Sequence, residues 1–330
     1  MAVIGVGLFG ENHAKTYAAY HRSSLVCVCD ANPQRAKSVA ERYGCRWTAD
    51  YREVVADPEI DAVSVATPDF AHLDPCLAVL ESGKHLLAEK PLATSTAEAM
   101  SIADAAASRG LKLMVDFHNR WNPTFVKAKE EMDAGKLGRP TMGYVRLANA
   151  ISVPTQMLSW SGMSGPQWFL LPHTVDLIRW LIGAEATRVY AVGTKQVLKA
   201  KGIDAYDAIQ ALVSFGDAFV TFETAWILPN SLPSVIEFRL NLVGTQGKLA
   251  AVTDNAGLEV ASDAFAYPSF NASRESHGKM QGFVYEPIQH FVDCVVDDRQ
   301  PDVTGEDGVA ATAIIEAMLR SIESGAPVDL

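Results

Sequence analysis

No apolar run in the 330 residues reaches the roughly 18 to 20 residues that a membrane-spanning helix needs, so no membrane partner is expected. Cysteine is sparse: Cys27, Cys29, Cys45, Cys76 and Cys294 make five, an odd number, with no C-x-x-C pair and no regular disulfide spacing. Reduced thiols and no metal centre are therefore expected. Cys27 and Cys29 alternate along an apolar run and read as small buried hydrophobes. Positive charge is also short, with 28 Lys and Arg against 39 Asp and Glu and a formal net charge of −11. Duplex binding needs clustered cations to displace counterions from phosphates, so nucleic acid is excluded as a partner. No targeting segment precedes the first apolar run, and internal repeats and low-complexity tracts are lacking, so a cytoplasmic protein is expected.

What is present points to two domains, since 330 residues exceed the usual single core. Residues 1–120 alternate short apolar runs with helix-like segments. Ala2 to Val6, Leu25 to Asp30, Ala62 to Ala66, His85 to Ala88 and Lys112 to Val115 are nearly all apolar, as parallel strands covered on both faces must be. Helices are predicted to begin near Phe9, Pro33, Phe70 and Ser95, with Gly83 and Gly110 as stops. Right-handed crossovers make this an α/β, doubly wound parallel sheet. Residues 121–330 read as an α+β domain with a mostly antiparallel open sheet. Its strands are Thr141 to Ser152, Arg188 to Val197, Asp207 to Phe215, Ala218 to Trp226, Val235 to Val243 and Lys248 to Val252. Its helices are Pro123 to Ala134, Pro172 to Ile182, Glu286 to Val296 and Gly308 to Ser324.

The first strand runs into Gly5-Val6-Gly7-Leu8-Phe9-Gly10, a G-x-G-x-x-G stretch with a helix behind it. Gly5 permits the tight turn, Gly7 admits a pyrophosphate to the backbone, Gly10 permits close helix packing, and the amides around Leu8 and Phe9 meet the anion. Asp30 ends the second strand at the spacing of the acid that binds the adenosine ribose. Its charge would repel a 2′-phosphate, so NAD is expected over NADP, with Arg35 the residue that leaves NADP open.

Three further motifs stand in order behind this one: Ala66-Thr67-Pro68 with His72, Glu89-Lys90-Pro91 at a strand end, and a helix carrying His173-x-x-Asp176. Together they make the chain resemble the Gfo/Idh/MocA oxidoreductases over nearly its whole length. The resemblance implies that Thr67, Pro68 and His72 line the cofactor, that Glu89 and Lys90 lie near the nicotinamide, and that Lys90 is catalytic. It also implies nicotinamide and substrate contacts at Asn119 and Arg120, and a homodimer or homotetramer.

The chemistry expected is hydride transfer between NAD and a secondary alcohol or ketone of a sugar, inositol or related polyol, with His173 as base and Lys90 polarising the oxygen. Asp176, one turn beyond His173, orients the imidazole or binds a substrate hydroxyl. Trp160 stands in a Gly-, Ser- and aromatic-containing loop suited to stacking on a sugar ring. One departure from the family pattern is Phe169, where many members carry an Asp four residues before the histidine. It keeps open a second reaction, in which tightly bound NAD oxidises the substrate transiently for glycoside cleavage or elimination. A third reading is a non-catalytic NAD-binding regulator, against which the retained Lys90 and His173 argue.

Overall fold

The computed structural model describes residues 1–255, 257–261, 265–268, 270–277 and 279–330. The chain forms two compact units, Met1–His118 with Ser273–Thr312, and Asn119–Ala272 with Ala313–Leu330.

The first unit alternates strand and helix: β1 (Ala2–Ile4), α1 (Gly10–Ala19), β2 (Cys27–Cys29), α2 (Pro33–Tyr43), β3 (Arg46–Thr48), α3 (Tyr51–Ala56), β4 (Ala62–Val65), α4 (Leu73–Glu81), β5 (His85–Ala88), α5 (Thr96–Ala107) and β6 (Leu113–Val115). All pair in parallel in the order β3-β2-β1-β4-β5-β6. That order reverses between β1 and β4, and a crevice for a ligand opens at the carboxyl ends of strands at such a point. Every residue of β1, β2, β4 and β6 is buried, which is why these strands read as unbroken apolar runs. Ser95 accepts the Glu98 amide at 3.3 Å and starts α5, and Gly83 and Gly110 take the positive φ expected after α4 and α5. Neither β3 nor α3 was anticipated. The strand is a three-residue sheet edge in which only Thr48 is buried, too short and too exposed to leave an apolar pattern.

The second unit contains α6 (Pro123–Asp133), β7 (Pro140–Ala150), α7 (Pro166–Phe169), α8 (Leu171–Ile182), β8 (Arg188–Thr194), β9 (Ala208–Phe215), β10 (Ala218–Leu228), β11 (Ile236–Gly244) and β12 (Lys248–Val252), then a short pair, β13 (Val260–Ala261) with β14 (Phe265–Ala266). The chain returns to the first unit through the pair β15 (Arg274–Ser276) and β16 (Lys279–Gln281) and through α9 (Glu286–Val296). Helix α10 (Gly305–Ser324) carries it back to β17 (Val328–Asp329) in the second. The large sheet has the order β12-β11-β7-β10-β9-β8-β17 and is antiparallel except for β7 with β10. One face carries the buried Val145, Leu147, Ile209, Val213, Val220, Phe222 and Leu240. The registers put Met142, Tyr190, Val192, Leu212 and Phe219 on the opposite face, each at least 44% exposed.

Candidate active site and cofactor cradle

At the end of β1 the chain turns through Gly5, at φ +84°, whose amide donates to the Cys29 carbonyl at 2.8 Å. A Cβ on Gly5 would fall 2.7 Å from the Ala66 backbone, and one on Gly10 would fall 1.8 Å from the Gly5 carbonyl oxygen. Chain packing alone therefore requires both glycines. Gly7 differs, because a Cβ there would meet nothing within 4 Å. The free space lies beside the loop before α1, Leu8 is exposed and Phe9 half-buried, and no side chain caps the N-terminus of α1. By contrast, Asn32 caps α2 by accepting the Gln34 and Arg35 amides. These features fit a dinucleotide whose diphosphate meets helix amides across open space.

Asp30, buried just past β2, accepts the Val6 amide at 3.0 Å and the Asn32 amide at 2.8 Å. The half-exposed Arg35 guanidinium lies 3.3 Å from the same carboxylate. The acid is thus fixed beside the glycine loop, where a ribose carrying two free hydroxyls suits it better than a phosphate does. Beyond β4, the Thr67 hydroxyl donates to the Ala71 carbonyl at 2.9 Å, and Pro68 opens the turn Asp69–Ala71. The buried His72 ring bonds the carbonyls of Thr67 at 2.9 Å and Pro91 at 2.7 Å. It ties the turn after β4 to the segment after β5.

Glu89 and Lys90 follow β5, both buried, with a cis peptide between Lys90 and Pro91. The Lys90 ammonium lies 5.8 Å from the centre of the Phe9 ring, so it belongs to the glycine-loop side of the sheet. Burial lowers its proton affinity, partly offset by neighbouring carboxylates, Glu89 foremost and then Asp69. For Glu89, burial raises the carboxyl, but the hydrogen bond from His13, followed by the charge of Lys90, outweighs it and holds the group at about 2. Burial pushes His118 down to about 4.

His13, Ser64 and Asp116 were not foreseen as site residues. His13 Nε2 stands 3.2 Å from Glu89 Oε1 and 3.6 Å from Asp116 Oδ2, and Nδ1 lies 2.9 Å from Ser64 Oγ. A signal existed. His13 falls among Gly10, Ala14 and Tyr17 on the buried face of α1, and a polar side chain at a core position of a helix needs partners.

In the second unit, α8 carries both His173 and Asp176, one turn apart and both buried. Asp176 is the partner of Arg120, which meets it at two points, Nε to Oδ2 at 2.9 Å and Nη2 to Oδ1 at 2.5 Å. The guanidinium lies 5.9 Å from the Trp180 ring centre. Asn119 is buried, and its carbonyl accepts the Asn122 amide at 3.1 Å. Phe169 joins an aromatic cluster, with ring centres 6.2 Å from Trp160 and 5.6 Å from Trp226. Asp176 is therefore bound to Arg120 rather than standing as a lone acid on the helix surface, and Trp160 packs on the residue that replaces the family's Asp.

A reversing parallel sheet, a glycine loop that leaves room for a diphosphate, an acid at the next strand end and a buried lysine define a dinucleotide-dependent oxidoreductase. Residues 1–117 match the family described as an oxidoreductase family with an NAD-binding Rossmann fold, and residues 129–330 match its C-terminal alpha/beta domain. The chain belongs to the Gfo/Idh/MocA oxidoreductase family, and its cofactor is NAD. It is 30% identical to the scyllo-inositol 2-dehydrogenase (NAD(+)) of Bacillus subtilis, covering 100% of this chain and 95% of that protein. It is 28% identical to the inositol 2-dehydrogenase of Acidothermus cellulolyticus, covering 99% and 94%. Among solved structures, GenD2 from gentamicin A biosynthesis, in complex with NAD, superposes with a TM-score of 0.87 at 26% identity, covering 100% and 95%.

Proposed function

We propose that the protein oxidises a secondary alcohol of an inositol, sugar or related polyol, or reduces the matching ketone, with Lys90 and His173 dividing the acid/base work. Bound NAD supplies the hydride acceptor. As the hydride leaves the carbinol carbon, the hydroxyl proton must pass to a base, and the carbonyl that forms needs a donor at its oxygen. The observation that carries this reading is the burial of Lys90 beside Glu89, which makes its amine less basic than a surface lysine. His173 is the base and Lys90 polarises the oxygen; Asn119, Arg120, Asp176 and Trp160 contact the substrate, and Thr67, Pro68 and His72 line the cofactor. The unit of residues 1–118 with 273–312 takes the cofactor role, and the unit of residues 119–272 with 313–330 the substrate and assembly role, so residues 273–312, expected from the sequence in the second domain, belong instead to the first.

The test is NADH formation with myo-inositol, scyllo-inositol, glucose and an anhydrosugar, with NADP in parallel. Turnover with one of these, abolished in Lys90→Ala while NAD still binds, supports the reading. Normal turnover by Lys90→Ala overturns the role of that residue. Phe169 favours a second reading, transient oxidation with NAD regenerated inside one cycle, and product formation without NADH release would establish it.

The open face of the large sheet, with its exposed Met142, Tyr190, Val192, Leu212 and Phe219, suits a homodimer or homotetramer. Light scattering of Leu212→Lys would then show a smaller species than wild type. No helix among the described residues is long and apolar enough to cross a membrane, and all five cysteines are free. A reducing cytoplasm suits such thiols.

A further inference from the structure

Two carboxyl groups flank His13 inside the first unit, and they are not equivalently served. Glu89 has both oxygens engaged: Oε1 lies 3.2 Å from His13 Nε2, and Oε2 accepts the Lys90 backbone amide at 3.2 Å. For Asp116, Oδ2 lies 3.6 Å from the same Nε2, beyond hydrogen-bond range, and Oδ1 has no hydrogen-bond partner among the described residues. Both side chains are at least 92% buried. A buried carboxylate without donors is far costlier than a neutral carboxyl in the same place, and two such groups sharing one imidazole cannot both ionise cheaply. The donor order agrees. Tyr17 Oη lies 2.5 Å from Ser64 Oγ, which lies 2.9 Å from His13 Nδ1. A chain running from the phenol through the serine hydroxyl to Nδ1 leaves the Nε2 proton pointing to Glu89.

We propose that, of the two buried carboxyl groups around His13, Glu89 carries the negative charge and Asp116 carries a proton, so that one charge and not two acts from this cluster on Lys90. The proposal rests on the acid/base role of Lys90 given above and makes Glu89, His13 and Asp116 positioning residues for it. The charged and titratable groups that bear on the cluster are His13 and Tyr17 from α1, Glu89 and Lys90 after β5, and His118 after β6, with Asp69 after β4 acting on Lys90. Glu89 is the foremost of the charges that strengthen the hold of Lys90 on its proton. Burial, followed by the Glu89 charge, lifts the Asp116 carboxyl well above its ordinary range. His13, Glu89 and Asp116 also place three ligand-type atoms within 4.8 Å of one another, a span that a divalent cation would accept, so a bound metal is the competing occupant of the same cluster.

Infrared spectroscopy of the purified NAD-loaded protein at neutral pH decides the assignment without any turnover. A protonated-carboxyl band that shifts on labelling aspartate side chains with 13C, stays put on labelling glutamate, and vanishes in Asp116→Asn is the expected result. A band that follows the glutamate label, the absence of any such band, or a stoichiometric divalent metal in the protein would overturn it. If Asp116→Asn fails to fold, the two labelled wild-type samples decide between the carboxyls. The consequence for Lys90 is read from the pH dependence of kcat with myo-inositol or whichever tested polyol turns over. Glu89→Gln should move the alkaline limb, where Lys90 loses the proton with which it polarises the oxygen, to lower pH by about one unit, a tenfold drop in proton affinity, while Asp116→Asn leaves that limb in place. Equal shifts in both variants, or a shift only in Asp116→Asn, would refute the division of roles. Normal turnover by Lys90→Ala would remove Lys90 from the chemistry and leave the infrared band to judge the charge assignment alone.

Discussion

Arg120 and Asp176 form a two-point ion pair inside the second unit, with the Asp176 side chain 1% and the Arg120 side chain 9% exposed. Removing one member leaves the other as a buried, uncompensated charge, which typically costs about 3 to 5 kcal/mol. Asp176→Ala is therefore expected to lower the unfolding free energy by that order. The apolar double replacement Arg120→Met with Asp176→Leu should recover much of the loss. Urea unfolding of the three variants measures it, and a double variant less stable than Asp176→Ala would contradict the expectation.

The glycine loop separates folding from binding. Gly10→Ala puts a Cβ against the Gly5 carbonyl oxygen, so it should destabilise the protein by about 1 to 3 kcal/mol, seen as a lower midpoint in thermal unfolding. Gly7→Ala meets no protein atom within 4 Å and should unfold like wild type. Calorimetry should nevertheless show its NAD affinity reduced about tenfold or more, or about 1.4 kcal/mol, because the methyl group occupies the approach to the diphosphate. Unchanged NAD affinity in Gly7→Ala would place the diphosphate elsewhere.

Asp30 should govern the choice between NAD and NADP. Replacing it with Ser removes the charge that disfavours a 2′-phosphate and leaves Arg35 without its carboxylate. The ratio of NAD to NADP affinity should fall about tenfold or more, with NAD weakened and NADP strengthened. An unaltered ratio would show that Asp30 serves only the Val6 and Asn32 amides.

Acid should unfold the first unit in two stages. His118 is held down by burial to about 4, so its contribution to stability is complete above the unfolded value near 6.5 and is lost as pH falls through about 4. Glu89, held at about 2, contributes fully above the unfolded value of about 4.5 and loses that contribution as pH falls toward about 2. Asp116 has the opposite sign: its raised carboxyl gives stability at low pH that is lost as pH rises through its folded value. Denaturant midpoints recorded across this range should therefore decline first between about 6.5 and 4, and His118→Gln should flatten that first decline. Persistence of the decline in His118→Gln would assign it to another group.

The legible parts of the site are those a short stretch of chain encodes. Glycine loop, Asp30, Thr67 and Lys90 each sit at the end of an apolar run, and an open parallel sheet puts all such ends on one edge. Residue spacing and strand period were enough to collect them. By contrast, β3 escaped because an edge strand of three residues with one buried side chain carries almost no periodic signal. Pairings between distant residues escaped for a different reason. Asp176 bonds Arg120, 56 positions away, a pairing that local spacing along the helix does not encode.

The sequence by itself determined the alternation of buried strands and helices, the presence of two units and the glycine turn, while the return of residues 273–312 to the first unit was decided by the tertiary structure. The first three follow from local backbone preference and from whether a run of side chains must be covered on one face or two. Only the tertiary structure decided which charges meet: His13 with Glu89 across 76 positions, Asp116 beside them, and Arg120 with Asp176. An ion pair or shared proton is set by distance and desolvation in three dimensions, and neither quantity is written in the spacing of residues along the chain.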